Sequence, residues 1–372
     1  MSDIESEVRG RAGLITLNRP TALNALSLPM IRALAAALLA WRDDPAVEVV
    51  AIRGTGRSNE TPSGSIPFGA FCAGGDIRFF HQAALAGDPE LENFFTEEYE
   101  LNHLVHAFPK PYVAFLDGIV IGGGMGISGH GRPGPGLRIV TERTRMSMPE
   151  TAIGLFPDVG GSFFLGRCPG HQGDYLALTG HVLGGPEAIA AGLADRLVQA
   201  SHLPALWAEL GDGGFEGLRR LLRASAADLP PLAPVDWPHA GIEKFFSLAS
   251  VTAIVSALEA DGSPWARETA AALRRRSPLM LQVTFEQLRR GRSMTLADVL
   301  RMERDMVHHC FHLRPGVASE TVEGIRALAI DKDHRPQWNP ARIEDVTPEV
   351  VAAFFESPWP AHSHPLRGLT AL

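Results

Sequence analysis

The stretch Lys110–Gly126, KPYVAFLDGIVIGGGMG, contains the strongest indication of the fold. Its first half, Tyr112–Leu116, is an apolar run that ends at Asp-Gly, which is typical of a buried strand followed by a turn. Its second half carries three consecutive glycines, Gly122–Gly124. Glycine permits positive φ and close backbone approach, and N–H groups at a helix start are free to meet an anion or an oxyanion. The stretch therefore predicts a strand, a tight turn and free backbone donors.

Strand-like and helix-like segments alternate around this stretch, which predicts an α/β fold. The other strand candidates are Gly13–Leu17, Val47–Arg53, Arg138–Thr141 and Arg196–Val198. Helical periodicity covers Leu28–Trp41 and Glu90–Ala107. Beyond about residue 200 the pattern becomes helical, over Phe245–Ala260, Ala266–Arg276, Met280–Arg290 and Leu296–Cys310. We therefore predict an α/β core over residues 1–200 and a helical region over residues 201–372.

The composition excludes several classes of protein. The 372 residues carry 34 basic and 42 acidic side chains, and a net charge of −8 argues against a nucleic-acid-binding surface. Three separated cysteines, Cys72, Cys168 and Cys310, exclude a disulfide scaffold and fit a reducing compartment. No apolar run reaches the ~18 residues of a membrane span, and no targeting segment is apparent at the start. We expect a cytoplasmic protein that binds neither membranes nor nucleic acid.

Two motifs resemble cofactor sites but lack the sequence context that such sites need. Gly124-x-Gly126-x-x-Gly129 matches the dinucleotide pattern GxGxxG, but residues 131–136, GRPGPG, would break the crossover helix that such a site needs. His308 and His312 in HHCFH can share one helix face, but the sequence shows no third metal ligand near them. We therefore predict no metal site.

The acids Glu150 and Asp158 lie in the segment Met148–Gly161, MPETAIGLFPDVGG, which is otherwise almost entirely apolar. A carboxyl group that is removed from water has a raised pKa, which suits a general base. The residues alone favour a simpler role for both acids, at the start of a short helix, and leave catalysis as the alternative. Glu98, within Thr96-Glu97-Glu98-Tyr99, is typical of a solvated helix position.

Several motifs together resemble the crotonase superfamily, and most closely its 3-hydroxyisobutyryl-CoA hydrolase branch. They are FCAGGDI (Phe71–Ile77), the stretch Lys110–Gly126, the segment Met148–Gly161, and, near the C-terminus, Ser277–Gly291 and Glu323–Trp338. The resemblance implies a spiral of ββα units followed by a helical C-terminal region. It also implies an acyl-CoA thioester substrate, with CoA as part of the substrate and no metal or redox cofactor.

The same resemblance implies roles for individual residues. The N–H groups of Gly75 and Gly123 would bind the thioester oxygen as an oxyanion hole. Glu150 and Asp158 would be catalytic and would contact the substrate, and Glu98 would bind its 3-hydroxyl group. The residues implied in CoA binding are Ala22, Ala73, Gly74, Asp76 and Ile77.

Position 126 discriminates between the reactions of the superfamily. A hydratase that resembled this chain would carry its first catalytic Glu there, but the residue is Gly126. Its second Glu matches Glu150, and Asp158 stands where hydratases usually have a small residue. The pattern predicts hydrolysis of 3-hydroxyisobutyryl-CoA to 3-hydroxyisobutyrate and CoA, a step of valine breakdown. Two alternatives stay open: an enoyl-CoA hydratase or isomerase, and a catalytically silent acyl-CoA-binding protein.

Two segments, Gly54–Gly69 and Gly129–Arg138, look longer than the family pattern and flank the motifs. They could reshape the acyl pocket or the CoA entrance, so the acyl group is left open. The choice between a general base and a covalent anhydride is open as well. So is the oligomeric state, with a homo-oligomer among the options.

Overall fold

The structure is a computed structural model that describes residues 2–56, 68–225 and 237–370. Within these residues, eight strands form a six-stranded sheet and a two-stranded sheet. The strands are β1 (Ile4–Arg9), β2 (Ala12–Leu17), β3 (Val49–Gly54), β4 (Tyr112–Leu116), β5 (Ile119–Ile121), β6 (Gly136–Val140), β7 (Arg145–Ser147) and β8 (Arg196–Leu197).

The larger sheet has the order β1-β2-β3-β4-β6-β8. β1 pairs antiparallel with β2 through a hairpin, and every later pair in this sheet is parallel. The smaller sheet joins β5 to β7 in parallel, with Val120 opposite Met146.

The described helices are α1 (Leu28–Arg42), α2 (Ile77–Ala86), α3 (Glu90–Ala107), α4 (Gly123–Gly126), α5 (Gly161–Leu165), α6 (Gln172–Thr179), α7 (Gly185–Ala190), α8 (Leu203–Ser225), α9 (His239–Phe246), α10 (Val251–Asp261), α11 (Pro264–Arg274), α12 (Pro278–Gly291), α13 (Leu296–His312), α14 (Glu320–Ile325) and α15 (Pro348–Ala352). A 3₁₀ helix at Glu150–Ile153 also enters the argument below. None of the helices in the described ranges is both long and apolar enough to cross a lipid bilayer.

The chain forms two compact units, each assembled from three segments. The first unit comprises residues 1–75, 101–147 and 182–237, and the second comprises 76–100, 148–181 and 238–372. The described strands all belong to the first unit, and the described regular structure of the second is helical. The predicted division at residue 200 follows a different criterion, since it marks the end of the strands: β8 ends at Leu197.

The core of the first unit lies between the large sheet and α8. Alternate residues of a strand point to the same face, so positions two apart pack together. The side chains from the sheet are Ala12, Leu14, Val49, Ala51, Val113, Phe115 and Ile139, and Val198, just after β8, joins them. Those from α8 are Leu203, Leu206, Trp207, Leu210, Leu218 and Leu222. Gly13 lies on the opposite face of β2 from Leu14. A Cβ added to Gly13 would lie 2.5 Å from the Trp41 ring, so α1 packs directly against the backbone of β2 on this face.

Three successive stretches of chain repeat the same ββα order. In each, a strand of the large sheet is followed by a segment of the small sheet and then by a helix. The first is β3, a bridge from Cys72 to Val120, and α2. The second is β4, β5 and α4, and the third is β6, β7 and the 3₁₀ helix at Glu150–Ile153. This repetition confirms the predicted ββα architecture, and the helices from α9 onward confirm the helical C-terminal region.

Two details of the sequence prediction are wrong. The single helix expected over Phe245–Ala260 is two helices, because α9 ends at Phe246 and α10 begins at Val251. Ser250 provides the break, since its hydroxyl accepts a hydrogen bond from Ala253 N–H at 3.1 Å and caps α10. β1 was not predicted because it is a half-exposed edge strand rich in acids, without the apolar run of its neighbours.

The insertion Gly129–Arg138 is packed against the starts of two strands. The Arg132 guanidinium donates to the backbone oxygens of Pro135 (2.7 Å) and Lys110 (3.2 Å), and Tyr112 N–H donates to Pro135 O at 3.3 Å. The insertion therefore lies at the amino ends of β4 and β6, whereas Gly123 follows β5, beyond the carboxyl end of β4. In the other long segment, Gly54–Gly69, residues 57–67 lie outside the described part of the chain.

Substituting Leu14→Ala should show how much the first unit depends on its core. Leu14 is 2% exposed, so its truncation should lower the free energy of unfolding by about 2–5 kcal/mol. Leu39→Ala on α1 is the matched control, because Leu39 is 49% exposed and the change should stay within about 0.5 kcal/mol. Urea denaturation followed by circular dichroism measures both, and equal losses would contradict this account of the core.

Candidate active site

Two glycine turns of the first unit lie against each other. Gly74 has φ +93°, and a Cβ placed on it would lie 3.2 Å from Ile121 O and 3.5 Å from Gly123 N. A Cβ on Gly124 would lie 2.6 Å from Cys72 O. Gly74 therefore needs to be glycine because of its positive φ, and Gly124 because the backbone of Cys72 leaves no room for a side chain. The turn at Gly74 and the Gly-Gly-Gly turn are in direct backbone contact.

Each turn offers one unused backbone donor. Gly123 is the first residue of α4 and is buried, and Gly75 precedes α2. Across the described ranges, the structure shows no hydrogen bond from the N–H of either residue to another protein atom. N–H groups at the start of a helix are suited to stabilising negative charge. These are the two groups predicted to form the oxyanion hole.

Three carboxyl groups are buried in the second unit. Glu98 on α3 is 2% exposed, Glu150 at the start of its 3₁₀ helix is 6% exposed, and Asp158 in the loop before α5 is 5% exposed. The reading of Glu98 as a solvated helix position is therefore wrong. α3 is buried on more than one face here, since Phe94, Phe95 and Glu98 are all covered.

Burial raises the pKa of all three groups. For Glu98 and Glu150, removal from water is the largest cause, and the negative charge of Asp158 raises the pKa of both further. Burial also raises the pKa of Asp158, to about 6, although a hydrogen bond from Tyr99 opposes the shift. The Tyr99 hydroxyl donates to Asp158 Oδ2 at 2.9 Å. In their ionised forms these groups are stronger bases than ordinary carboxylates, and a smaller fraction of each is ionised at a given pH.

No lysine, arginine or histidine among the described residues forms an ion pair with Glu98, Glu150 or Asp158. Glu98 Oε1 and Glu150 Oε2 are also buried without a hydrogen-bond partner in the protein. Buried polar atoms in native proteins are almost always satisfied. Two unsatisfied carboxyl oxygens in one cluster therefore mark atoms that are available to a water molecule or a substrate.

The loop that carries Asp158 is held by two helices of the C-terminal region. Glu303 of α13 accepts hydrogen bonds from Gly160 N–H (2.7 Å) and Ser162 N–H (3.2 Å). Gln287 of α12 donates to Pro157 O at 2.7 Å and to Glu303 Oε1 at 3.0 Å. These bonds fix the backbone on both sides of Asp158.

The same loop contains a strained residue. Val159 has φ +53°, a region that β-branched residues rarely adopt and that costs about 1–3 kcal/mol. Such strain persists only where the surroundings enforce it, and here the bonds from Glu303 and Gln287 do so. Glu303 is fully buried, and burial raises its pKa to about 8. Sequence reasoning missed Tyr99, Glu303 and Gln287.

The predicted CoA-binding residues lie along two connected backbone segments. Ala22 ends a short 3₁₀ helix, and Ala73 N–H donates to Leu23 O at 3.0 Å. Gly74 O accepts from Leu26 N–H at 2.7 Å, so this segment runs beside the Ala73–Gly74 turn. Asp76 caps α2 by accepting from Phe79 N–H, and Ile77 is the first residue of that helix. Their role in CoA binding stays a prediction.

Comparison with known proteins assigns the chain to a family. A profile of the family described as "Enoyl-CoA hydratase/isomerase" matches residues 12–355. The chain belongs to the enoyl-CoA hydratase/isomerase family. The match extends over both the strand-bearing part and the helical C-terminal part, and it confirms the resemblance to the crotonase superfamily.

Curated relatives in the enoyl-CoA hydratase/isomerase family are similar over nearly the whole chain. The "3-hydroxyisobutyryl-CoA hydrolase, mitochondrial" of Gallus gallus is 40% identical over 362 residues, which are 95% of this chain and 89% of that protein. The "3-hydroxyisobutyryl-CoA hydrolase 1" of Arabidopsis thaliana is 38% identical over 375 residues, 95% of this chain and 92% of that protein. These likenesses confirm the resemblance to the hydrolase branch.

Solved structures in the family share the fold. A carnitinyl-CoA dehydratase from Mycobacterium thermoresistibile is 35% identical with a TM-score of 0.82, covering 96% of this chain and 97% of that chain. An enoyl-CoA hydratase from Rhodobacter sphaeroides 2.4.1 is 38% identical with a TM-score of 0.81, and the match covers 96% of this chain and 98% of that chain. The fold is therefore common to relatives named for hydrolysis, hydration and dehydration.

Asp158→Asn should change how stability depends on pH. Burial raises the pKa of Asp158 from 3.8 to about 6, so the folded chain keeps this proton to higher pH than the unfolded chain does. Asp158 therefore lowers the stability of the parent as the pH rises from about 4 to about 6. The variant lacks this loss, so its melting temperature relative to the parent should increase over that range, as measured by circular dichroism.

Tyr99→Phe provides the opposite test. It removes the hydrogen bond that lowers the pKa of Asp158, so its melting temperature relative to the parent should fall as the pH rises. A difference between Asp158→Asn and the parent that is flat or decreases with pH would contradict the raised pKa.

Proposed function

We propose that this chain is a 3-hydroxyisobutyryl-CoA hydrolase, which converts 3-hydroxyisobutyryl-CoA and water to 3-hydroxyisobutyrate and CoA. Support comes from the curated relatives with this name, at about 40% identity over 95% of the chain. The acyl-CoA class of substrate also suits the enoyl-CoA hydratase/isomerase family to which the chain belongs.

The observation that carries this proposal is the arrangement of acids. Glu150 and Asp158 are both buried and within electrostatic reach of each other, and residue 126 carries no side chain. Hydration of a double bond by two glutamates would need an acid at position 126. Hydrolysis needs one base and an oxyanion hole, because a thiolate with a pKa near ~8.5 leaves readily.

Glu150 is the proposed base. Its raised pKa makes the ionised form a stronger base while lowering the fraction that is ionised, as it does for Glu98. Its Oε2, which has no hydrogen-bond partner among the described residues, can bind the attacking water. As the water oxygen bonds to the thioester carbon, Glu150 takes the water proton. The C–S bond then breaks, and the thiolate leaves and takes up a proton. The alternative, in which Glu150 itself attacks the carbonyl to form an anhydride, uses the same atom and remains open.

Gly75 and Gly123 are the proposed donors to the thioester oxygen, which gains negative charge as water attacks. Two N–H groups without protein acceptors on adjoining turns need no rearrangement to meet that charge. Asp158 would orient Glu150 or the water, with its own position set by Tyr99 and the Glu303 bonds. No step of this reaction requires a metal or a redox cofactor.

Glu98 is the proposed partner of the substrate's 3-hydroxyl group. Burial and the neighbouring carboxylates raise the pKa of Glu98 well above its usual range, which favours the protonated form. A protonated carboxyl can donate one hydrogen bond and accept another, as a hydroxyl partner must. Its unpaired Oε1 is available for that contact.

The competing function is hydration or isomerisation of an enoyl-CoA. It draws support from the enoyl-CoA hydratase of Rhodobacter sphaeroides, which is 38% identical to this chain. Gly126 argues against a two-glutamate hydratase. A silent binding protein would have no evident need for two buried acids that lack a cation partner.

Location and assembly stay predictions. The composition predicts a cytoplasmic protein, whereas the names of the Gallus gallus and Xenopus tropicalis relatives describe those proteins as mitochondrial. A homo-oligomer is still one of the options.

Glu150→Gln should lower hydrolysis of 3-hydroxyisobutyryl-CoA by about 10²–10⁴-fold, because the variant lacks the base. Release of free thiol measures turnover, and crotonyl-CoA hydration is followed in parallel by the loss of enoyl absorbance. Binding of CoA, measured by calorimetry, should be retained. Glu268→Gln, at an exposed position, is the control and should keep parental turnover.

The outcomes separate the functions. Thiol release without hydration supports the hydrolase, and near-parental release by Glu150→Gln would remove Glu150 from the mechanism. Hydration without thiol release by the parent would overturn the proposal and show that Glu150 acts with a partner other than residue 126.

Gly74→Ala should lower turnover by about 10²-fold or more, because the added Cβ would lie only 3.2 Å from Ile121 O and would strain the positive-φ backbone next to the Gly75 donor. Gly192→Ala is the matched control, since Gly192 also has positive φ (+74°) but has no neighbour within 4 Å of an added Cβ. Thiol release measures both variants. An equal effect on the two would show that backbone strain, and not the donor pair, is responsible.

A further inference from the structure

The folded chain brings a third candidate metal ligand, Glu92, close to the two histidines of the HHCFH motif. His308 and His312 lie one turn apart on α13, and Glu92 projects toward both from the first turn of α3. Glu92 Oε1 is 3.1 Å from His308 Nδ1 and 2.8 Å from His312 Nε2. All three residues belong to the second unit.

The three potential ligand atoms all lie within 4.8 Å of one another. Within the described residues, this is the group of three histidine, cysteine or acidic side chains that meets this distance. Zinc binds such atoms at about 2.0–2.2 Å in a tetrahedron, which places neighbouring ligands about 3.3 Å apart. The two separations from Glu92 Oε1, 3.1 and 2.8 Å, are within about half an ångström of that value. The two histidine nitrogens lie within 4.8 Å of each other, and their stacked imidazole rings would have to turn toward a common point to share one ion.

The carboxylate is held in place before any ion arrives. Arg304 forms an ion pair with Glu92 Oε2, and its Nε donates to Thr96 Oγ1 at 2.9 Å. Glu92 Oε1 is thereby left facing the two histidines. The fixed arginine charge weakens the attraction of Glu92 for a cation. His312 is 49% exposed, which gives an ion access from solvent.

We propose that Glu92, His308 and His312 form a binding site for a divalent transition-metal ion of the zinc class, with water as the remaining ligand. Two imidazole nitrogens and one carboxylate oxygen favour Zn²⁺, Ni²⁺ or Cu²⁺ over Mg²⁺ or Ca²⁺, which prefer oxygen ligands. The ion would link α3, which carries Glu98 and Tyr99, to α13, which carries Glu303. The site takes no part in the chemistry of thioester hydrolysis.

Calorimetric titration of the full chain with ZnCl₂ tests this proposal. The chain must carry no polyhistidine tag and must first be treated with a chelator. The parent should bind one Zn²⁺ per chain and should gain thermal stability on binding. The double variant His308→Ala/His312→Ala should bind at least about tenfold more weakly and lose the gain in melting temperature.

His309→Ala is the matched control. His309 lies between the two ligands in sequence, but its Nε2 contacts Glu356 O at 2.6 Å and it is not part of the cluster. This variant should bind Zn²⁺ as the parent does, and MgCl₂ should produce no effect in any of the proteins. Absence of Zn²⁺ binding by the parent at 100-fold excess, or unchanged binding by the double variant, would overturn the proposal.

Discussion

The second unit buries three carboxyl groups, those of Glu98, Glu150 and Asp158, close to one another, and no described lysine, arginine or histidine forms an ion pair with them. The rest of this unit must compensate for that burial. Removing a carboxylate from water costs several kcal/mol unless donors replace the lost hydration. Here only Asp158 receives such a donor from a neighbouring side chain, the Tyr99 hydroxyl. Glu98 and Glu150 keep an oxygen without a partner, so the folded chain carries an electrostatic cost that packing elsewhere must offset. The strained backbone at Val159 adds to that cost, and the bonds from Glu303 and Gln287 hold the arrangement in place.

The same cost has a chemical use in the proposed reaction. A carboxylate that has lost its water is a stronger base, but a smaller fraction of it is ionised at a given pH. With the pKa of Asp158 at about 6, the balance still favours ionisation of that group near neutrality. The pKa of Glu150, the proposed base, is raised in the same direction. A thioester needs a base more than it needs an acid, because the thiolate is a good leaving group. In the proposed mechanism, the absence of an acid at position 126 therefore disfavours hydration by two glutamates and leaves hydrolysis possible.

Sequence reasoning succeeded where the signal is local and failed where burial depends on distant partners. The strand Tyr112–Leu116 was predicted to the residue because its apolar run and its Asp-Gly turn are contiguous. Glu150 and Asp158 stood out because their apolar neighbours adjoin them in sequence. Glu98 resembled a solvated position, and only the resemblance to a family indicated its role. Glu303 gave no signal, since the loop that it holds lies more than a hundred residues away. Glu92, the proposed third metal ligand, gave no signal for the same reason, since it lies more than two hundred residues from the two histidines.

The ends of the large sheet limit how copies of this chain could join. A sheet edge with unpaired N–H and C=O groups can recruit a strand from another molecule, which leads to continuous sheets or fibrils. One edge here is β1, which carries Glu5 and Glu7, and like charges would repel on an identical strand placed beside it. The other is β8, which is two residues long and too short to template a partner. Self-association by extension of the large sheet is therefore disfavoured at both of its described edges.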